Sequence, residues 1–109
     1  MALAYLQGQG LRLLERNYRT PGRGGGEIDL VCLAPDGTLV FVEVRRRTSA
    51  AFGGAAASIG AGKRRRIVQA ARHWLLRYRS PPACRFDVVL VQGDQVQWLP
   101  GAFDAAASA

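Results

Sequence analysis

The sequence predicts an α/β domain, in which helices and strands pack around one core. Three observations carry this prediction. The first two are helical patterns at the start and in the second half of the chain, and β-rich runs that flank short turn sequences. The third observation is length, because 109 residues suffice for one hydrophobic core but not for two. We therefore expect a single domain over residues 1–109.

The first part of the chain predicts one helix and one strand. Residues 2–7 are typical of the last turns of a helix, which Gly8 and Gly10 end in the manner of a C-cap. Residues 11–19 form a strand-like run. The following TPGRGGG segment at 20–26 breaks regular structure with its glycines and proline.

Residues 27–34 and 38–45 predict a β-hairpin, because two β-rich runs surround a Pro-Asp-Gly turn. If Gly37 supplies the left-handed position of the loop, Ala34 faces Thr38, and the antiparallel register of the whole hairpin follows.

This register places acidic residues opposite one another. Asp29 lies opposite Glu43, and Glu27 lies opposite Arg45, all on one face of the hairpin. Both faces carry apolar side chains, so both are expected to be buried. The acidic face continues through Val31, Leu33, Leu39 and Phe41, and the other face consists of Ile28, Leu30, Cys32, Val40, Val42 and Val44.

The remaining residues predict a loop, a helix and two strands. Residues 48–62 are small and glycine-rich, which favours a loop, and residues 63–78 have the apolar spacing of an amphipathic helix. Two more strands are expected at 84–91 and 96–100 around a QGDQ turn. The alanine-rich tail at 104–109 is expected to be frayed.

The charge of the chain is strongly basic and concentrated in one part of it. The formal net charge is +7, and between Arg45 and Arg79 there are ten basic residues and no Asp or Glu. Such a patch indicates a polyanionic partner, nucleic acid first and an anionic membrane surface second. The alternative is a basic surface that serves solubility.

Membrane insertion is not expected, because no stretch approaches the roughly 18 consecutive apolar residues of a spanning helix. The sequence also shows no charged-then-apolar leader with a cleavage site. These features predict a cytoplasmic protein.

The opposed pair Asp29 and Glu43 is the strongest candidate for a functional site. Two carboxylates directly opposite on a sheet repel each other unless a cation lies between them. A hard divalent cation such as Mg²⁺ prefers one or two carboxylates plus waters and phosphate oxygens. The alternative is that these acids only form ion pairs with neighbouring arginines.

At these residues the sequence resembles a known family. The ordered motifs are GGEIDLV, VFVEVRRR, FGGAAASI, a lysine followed by IVQAARHWL, and CRFDVV. They resemble the YraN family of small bacterial proteins, which is similar to archaeal Holliday junction resolvases in the restriction-endonuclease-like PD-(D/E)xK superfamily. The resemblance implies a mixed central β-sheet flanked by helices, a Mg²⁺-dependent phosphodiesterase site and DNA as the substrate.

The resemblance also implies roles for individual residues. Asp29 matches the motif aspartate, Glu43 matches the acid of (D/E)xK, and Arg45 takes the place of the lysine. We expect Asp29, Glu43 and the Val44 carbonyl to hold Mg²⁺ or Mn²⁺. Because arginine can hold a phosphate but cannot accept a proton, Lys63 is a second candidate for the role of the lysine. The resolvases also have a glutamate in a longer N-terminal helix, and this chain begins after that point.

Nucleic-acid contacts are expected from a basic run and from nearby arginines. Positive side chains at a helix N-terminus oppose the helix dipole, so a bound phosphate explains the run at the start of the predicted helix better than helix stability does. The expected contacts are Arg23, Arg46, Arg47, Lys63, Arg64, Arg65 and Arg66.

Three functions remain open from the sequence. The first is a Mg²⁺-dependent endonuclease that acts on DNA, branched DNA included, and the second is a nucleic-acid-binding module on the same fold that does not cut. The third is a domain whose basic patch binds an acidic protein. A homodimer is expected if both strands of a duplex are cut.

Overall fold

The structure is a computed structural model that describes residues 1–22, 25–46 and 59–105. Over these residues the chain forms two helices and five strands, which confirms each predicted helix and strand. The elements are α1 (Ala2–Gly8), β1 (Arg12–Arg19), β2 (Glu27–Leu33), β3 (Leu39–Arg46), α2 (Ala61–Leu75), β4 (Cys84–Gln92) and β5 (Gln95–Phe103).

The strands form one sheet in the order β1-β2-β3-β4-β5. Strands β3 and β4 run parallel because the chain between them crosses over through α2, and all other neighbours are antiparallel. The expected α/β fold with a mixed central sheet and flanking helices is therefore confirmed, and it is consistent with a restriction-endonuclease-like fold.

The two helices cover opposite faces of the sheet. Val40 and Val42 of β3 belong to a buried cluster with Leu6 of α1. Phe41 belongs to a second cluster with Ile67 of α2. Because side chains alternate along a strand, these clusters lie on opposite sides, which we call the α1 face and the α2 face.

The register of the β2–β3 hairpin is the predicted one. The recorded pairs run from Leu33 opposite Leu39 to Leu30 opposite Val42. In the turn, the Ala34 amide donates to the Thr38 carbonyl over 2.9 Å. Gly37 has a φ of 89°, which is the left-handed conformation that the turn requires.

One face assignment was wrong. Leu30 belongs to the α1-face cluster, but Ile28 lies in the α2-face cluster, although two residues of one strand should share a face. The alternation is interrupted between them, at Asp29. The expected position of Glu27 opposite Arg45 lies beyond the recorded β2–β3 pairs, and Glu27 forms an ion pair of 3.3 Å with Arg19 of β1.

The helix and strand bounds differ slightly from the predicted ones. Helix α2 begins at Ala61, inside the segment expected to be a loop, and β5 extends to Phe103. The rest of that loop, residues 48–58, and the tail at 106–109 lie outside the described residues. None of the helices formed by the described residues is long and apolar enough to cross a membrane.

Candidate active site

The predicted acidic pair comes together at the end of the β2–β3 ladder. Glu43 lies on β3 and is 5% exposed, and Asp29 lies half-buried on β2. The Val44 amide donates a hydrogen bond of 2.8 Å to Oδ2 of Asp29. The Asp29 carboxylate therefore takes a main-chain donor next to Glu43, and this contact fixes the two acids relative to each other.

Two cations approach Glu43 from different elements. Nη1 of Arg45 and Nζ of Lys63 each lie 3.6 Å from Oε2 of Glu43. Arg45 follows Glu43 on the same face of β3, whereas Lys63 comes from the first turn of α2. The structure thus brings Lys63, which is distant in sequence, to the same carboxylate as the arginine in the motif position.

The surroundings of Glu43 change the pKa of its carboxyl group. Burial is the largest cause and the nearby Asp29 carboxylate the next, and together they raise the pKa of Glu43 from its ordinary value of 4.5 to about 7. Lys63 and Arg45 lower the pKa, but they do not cancel the effect of burial and of the second acid. A buried group that titrates near neutral pH beside a second carboxylate is typical of functional sites.

A glycine determines how closely α2 can approach the sheet. A Cβ atom added at Gly26 would lie 1.8 Å from the carbonyl oxygen of Arg66, well inside van der Waals contact. Gly26 precedes β2, and Arg66 lies one turn after Lys63. The close approach of the two main chains therefore holds the first turn of α2, with Lys63, over the acidic pair.

The donor set fits a hard divalent cation. Asp29 and Glu43 contribute carboxylate oxygens, and the N–H and C=O of one strand residue point to the same edge, so the Val44 carbonyl also faces the Asp29 side. Among the described residues, no three or more His, Cys, Asp or Glu side chains lie together so that they could hold a metal ion. Mg²⁺ accepts such a set, because it often retains several waters with one or two carboxylates.

The predicted nucleic-acid contacts fall in two places. Arg65 and Arg66 are exposed and Arg64 is half-buried in the first turns of α2, beside Lys63. Arg46 lies apart from them, on the wall of a cavity of about 390 Å³ on the α1 side that Asp29 and Val44 also line. Arg23 and Arg47 lie outside the described residues.

Asp87 and His73 are two further polar residues whose contacts lie away from the acidic pair. Asp87 is fully buried and accepts hydrogen bonds from Arg85, from Nε1 of Trp98 and from the Gly101 amide. His73 lies on the exposed side of α2, where it contacts the hydroxyl of Tyr18 in β1. Neither residue contacts the acidic pair in these interactions.

Sequence reasoning missed Asn17 of β1. Asn17 has a φ of 52°, a left-handed conformation inside a strand. The available signal was weak: asparagine is depleted in strands and tolerates left-handed conformations better than most residues do. The residue lies on the same cavity wall as Asp29.

The fold and the site define an α/β domain with paired carboxylates beside a basic helix. The chain belongs to the family described as Uncharacterised protein family UPF0102, whose model matches residues 1–91. Two similar relatives are UPF0102 proteins. That of Paracidovorax citrulli (strain AAC00-1) is 76% identical over 104 residues, which cover 95% of this chain and 77% of the relative. That of Acidovorax sp. (strain JS42) is 68% identical over 105 residues, covering 96% and 80%.

The comparison with solved structures also found a distant likeness. The crystal structure of SSO0001 is 12% identical and covers 98% of this chain and 50% of its own, with a TM-score of 0.42. At this score the likeness carries no argument about function. The family is therefore shown by sequence, and the function must be inferred from the site.

Proposed function

We propose that this protein is a Mg²⁺-dependent nuclease that hydrolyses phosphodiester bonds in DNA, branched DNA included. The observation that carries the proposal is the convergence on Glu43: a second carboxylate, a lysine and an arginine surround one buried acid. The resemblance of the motif order to the resolvases and to the PD-(D/E)xK superfamily supports the same reaction.

Asp29, Glu43 and the Val44 carbonyl would hold the Mg²⁺ ion. Bound there, the ion would lower the pKa of a water molecule and neutralise the charge that develops on the phosphate. Ionised Glu43 is needed for this binding, and burial beside Asp29 disfavours the ionised form when no divalent cation is present.

Arg45 and Lys63 have different roles in the hydrolysis. The Arg45 guanidinium holds the scissile phosphate and stabilises its negative charge. Lys63, whose Nζ lies 3.6 Å from Oε2 of Glu43, would orient the attacking water from the α2 side. The water oxygen forms the new bond to phosphorus as the bond from phosphorus to one sugar oxygen breaks. The attacking water loses one proton to solvent, and the leaving sugar oxygen takes one proton from solvent.

The basic turns of α2 explain how DNA is held next to these groups. Lys63, Arg64, Arg65 and Arg66 lie where the free amides of a helix N-terminus can also bind phosphate. The net charge of +7 attracts a polyanion over a longer range. A DNA substrate is consistent with activity in the cytoplasm, and cutting of both strands would favour a two-fold homodimer.

The test is incubation of the pure protein with labelled linear, single-stranded and four-way-junction DNA in Mg²⁺, in Mn²⁺ and in EDTA. We expect products only with a divalent cation, and none from Asp29→Asn or Glu43→Gln. Glu27→Gln is the matched control, because Glu27 is an acid of the same strand that pairs with Arg19. Products in EDTA, or undiminished cutting by both site variants, contradict the proposal.

A second candidate is a nucleic-acid-binding module that does not cut. It is favoured by the arginine in the motif position and by the small donor set among the described residues. Such a module binds DNA with a steep salt dependence, about −0.9 in log K against log salt per phosphate contact, yet leaves every DNA intact in Mn²⁺. Weak dependence on salt would instead favour an acidic protein partner.

A further inference from the structure

Asn17 is distinctive in the part of the chain that the structure describes. It is the one non-glycine residue there with a positive φ, 52°. It lies inside β1, between the pairs Arg16 with Leu30 and Tyr18 with Ile28. The intervening residue on β2 is Asp29, so the unusual backbone of β1 lies directly across from the acid of the proposed site.

Both strands change face at this point. Arg16 and Leu30 lie on the α1 side, Arg16 on the cavity wall and Leu30 in the α1-face cluster. Tyr18 and Ile28, two residues away, pack in the α2-face cluster. Regular strands keep such residues on one face, so β1 and β2 twist together at Asn17 and Asp29.

The twist coincides with the end of regular pairing between β2 and β3. The Ala34 amide donates to the Thr38 carbonyl, so these two residues form a hydrogen-bonded pair. Such pairs recur at every second position of an antiparallel ladder, and Leu30 with Val42 is one of them. The next would join Ile28 to Val44. The pairing of β2 with β3 ends at Leu30 and Val42, before that position. The Val44 amide donates to Oδ2 of Asp29 instead.

We propose that Asn17 is a positioning residue: its left-handed backbone turns β2 at Asp29, so that the Asp29 carboxylate replaces a strand carbonyl as the acceptor of the Val44 amide and faces Glu43. This inference rests on the proposed function for its consequence, cation binding. Asparagine suits the position, because it adopts the left-handed conformation at lower cost than most other residues with a side chain do.

The test compares Asn17→Gly with Asn17→Ala and Asn17→Val. Glycine keeps a positive φ without strain, alanine is a mild obstacle, and the β-branched valine is a strong one. Leu14→Val is the matched control, because Leu14 is another exposed residue of β1 and has no positive φ. All variants are compared below their unfolding temperatures.

Two measurements are made on each variant. The first is the exchange rate of the Val44 amide by NMR, which reports its hydrogen bond to Asp29 without any metal. The second is the affinity for Mn²⁺ alone by titration calorimetry. We expect Asn17→Gly and Leu14→Val to match the wild type in both. In Asn17→Val the Val44 amide should exchange faster, and Mn²⁺ should bind about ten- to a hundredfold more weakly. Asn17→Ala should lie between the wild type and Asn17→Val in both measurements.

The outcomes separate this inference from the proposed function. If folded Asn17→Val keeps the slow Val44 exchange of the wild type, Asn17 does not position Asp29. If the wild-type protein binds no Mn²⁺, the proposed metal site fails, and the Val44 exchange rates still decide the role of Asn17. Faster Val44 exchange in Leu14→Val would also overturn the inference, because the effect would then belong to the strand in general.

Discussion

Glu43 and Asp87 are buried acids on adjacent parallel strands with different surroundings. Asp87 pairs in register with Val42, one residue before Glu43. Asp87 receives hydrogen bonds of 3.0 Å from Arg85 and of 2.9 Å from Trp98 and from Gly101. Glu43 has ion pairs of 3.6 Å and a second carboxylate beside it.

The difference shows what distinguishes a structural acid from a candidate catalytic one. The fold supplies Asp87 with donors for both oxygens, and these donors compensate the cost of burying the charge. The fold supplies Glu43 with an additional negative neighbour, which increases that cost. Burial is common to both acids, so the second carboxylate beside Glu43 is the informative feature.

The largest effect is expected from Asp87→Ala. The substitution leaves the Arg85 guanidinium, the Trp98 indole and the Gly101 amide without their acceptor. We expect the free energy of unfolding to fall by about 3 to 5 kcal/mol, measured by urea denaturation. Asp94→Asn, in the exposed turn between β4 and β5, is the control and should leave the midpoint unchanged. A small loss for Asp87→Ala would show that these contacts are not structural.

Gly26→Ala should have the next largest effect. Its methyl group would overlap the Arg66 carbonyl, so α2 must move away from β2. We expect a loss of about 1 to 3 kcal/mol in urea denaturation, because the close packing of α2 on the sheet is lost. Gly8→Ala is the control, since an added Cβ there meets no atom within 4 Å. An equal loss in the control would remove the argument for close approach.

Glu43→Gln should have the opposite sign to Asp87→Ala. The folded-state pKa of about 7 exceeds the ordinary value of 4.5, so metal-free wild-type protein loses stability as the pH rises between these values. The variant lacks this titration. We expect it to be more stable than the wild type by about 1 to 2 kcal/mol at pH 8 in EDTA, and nearly equal at pH 4.5.

Divalent cations sharpen the same experiment. If Mn²⁺ binds the ionised pair, as we propose, it should raise the unfolding temperature of the wild type more at pH 8 than at pH 5 and leave that of Glu43→Gln nearly unchanged. If the stability of the wild type does not fall between pH 4.5 and 7 in EDTA, the pKa of Glu43 is not raised in the folded protein.

The smallest effect is expected from Lys63→Gln. Lys63 lowers the pKa of Glu43, so its removal should move the pH dependence of stability upward, with a change at pH 8 below about 1 kcal/mol. Titration of Glu43 by carbon NMR measures the shift directly. Arg65→Gln, exposed on the same helix, should leave the pKa of Glu43 unchanged. An unchanged value in Lys63→Gln would place Lys63 outside the site.

Local sequence patterns were enough for the elements and for the central hairpin. The apolar spacing of α2 and the Pro-Asp-Gly turn are short-range signals, so they predicted a helix and the register that brings Asp29 beside Glu43. The same alternation placed Ile28 on the wrong face. It failed there because Asn17, on another strand, twists β2, and no pattern within β2 contains that information.

The chain thus encodes locally where its acids, its basic run and its turns lie, because side-chain period and turn chemistry depend on residues a few positions apart. Contacts between distant segments decided the rest. Lys63 reaches Glu43 through the packing of α2 on Gly26, and Asp87 is distinguished from Glu43 by donors that β5 brings to it. Hydrogen-bond donors and desolvation act across space, so only the packed sheet determines which buried acid receives donors on both oxygens and which lies beside a second carboxylate.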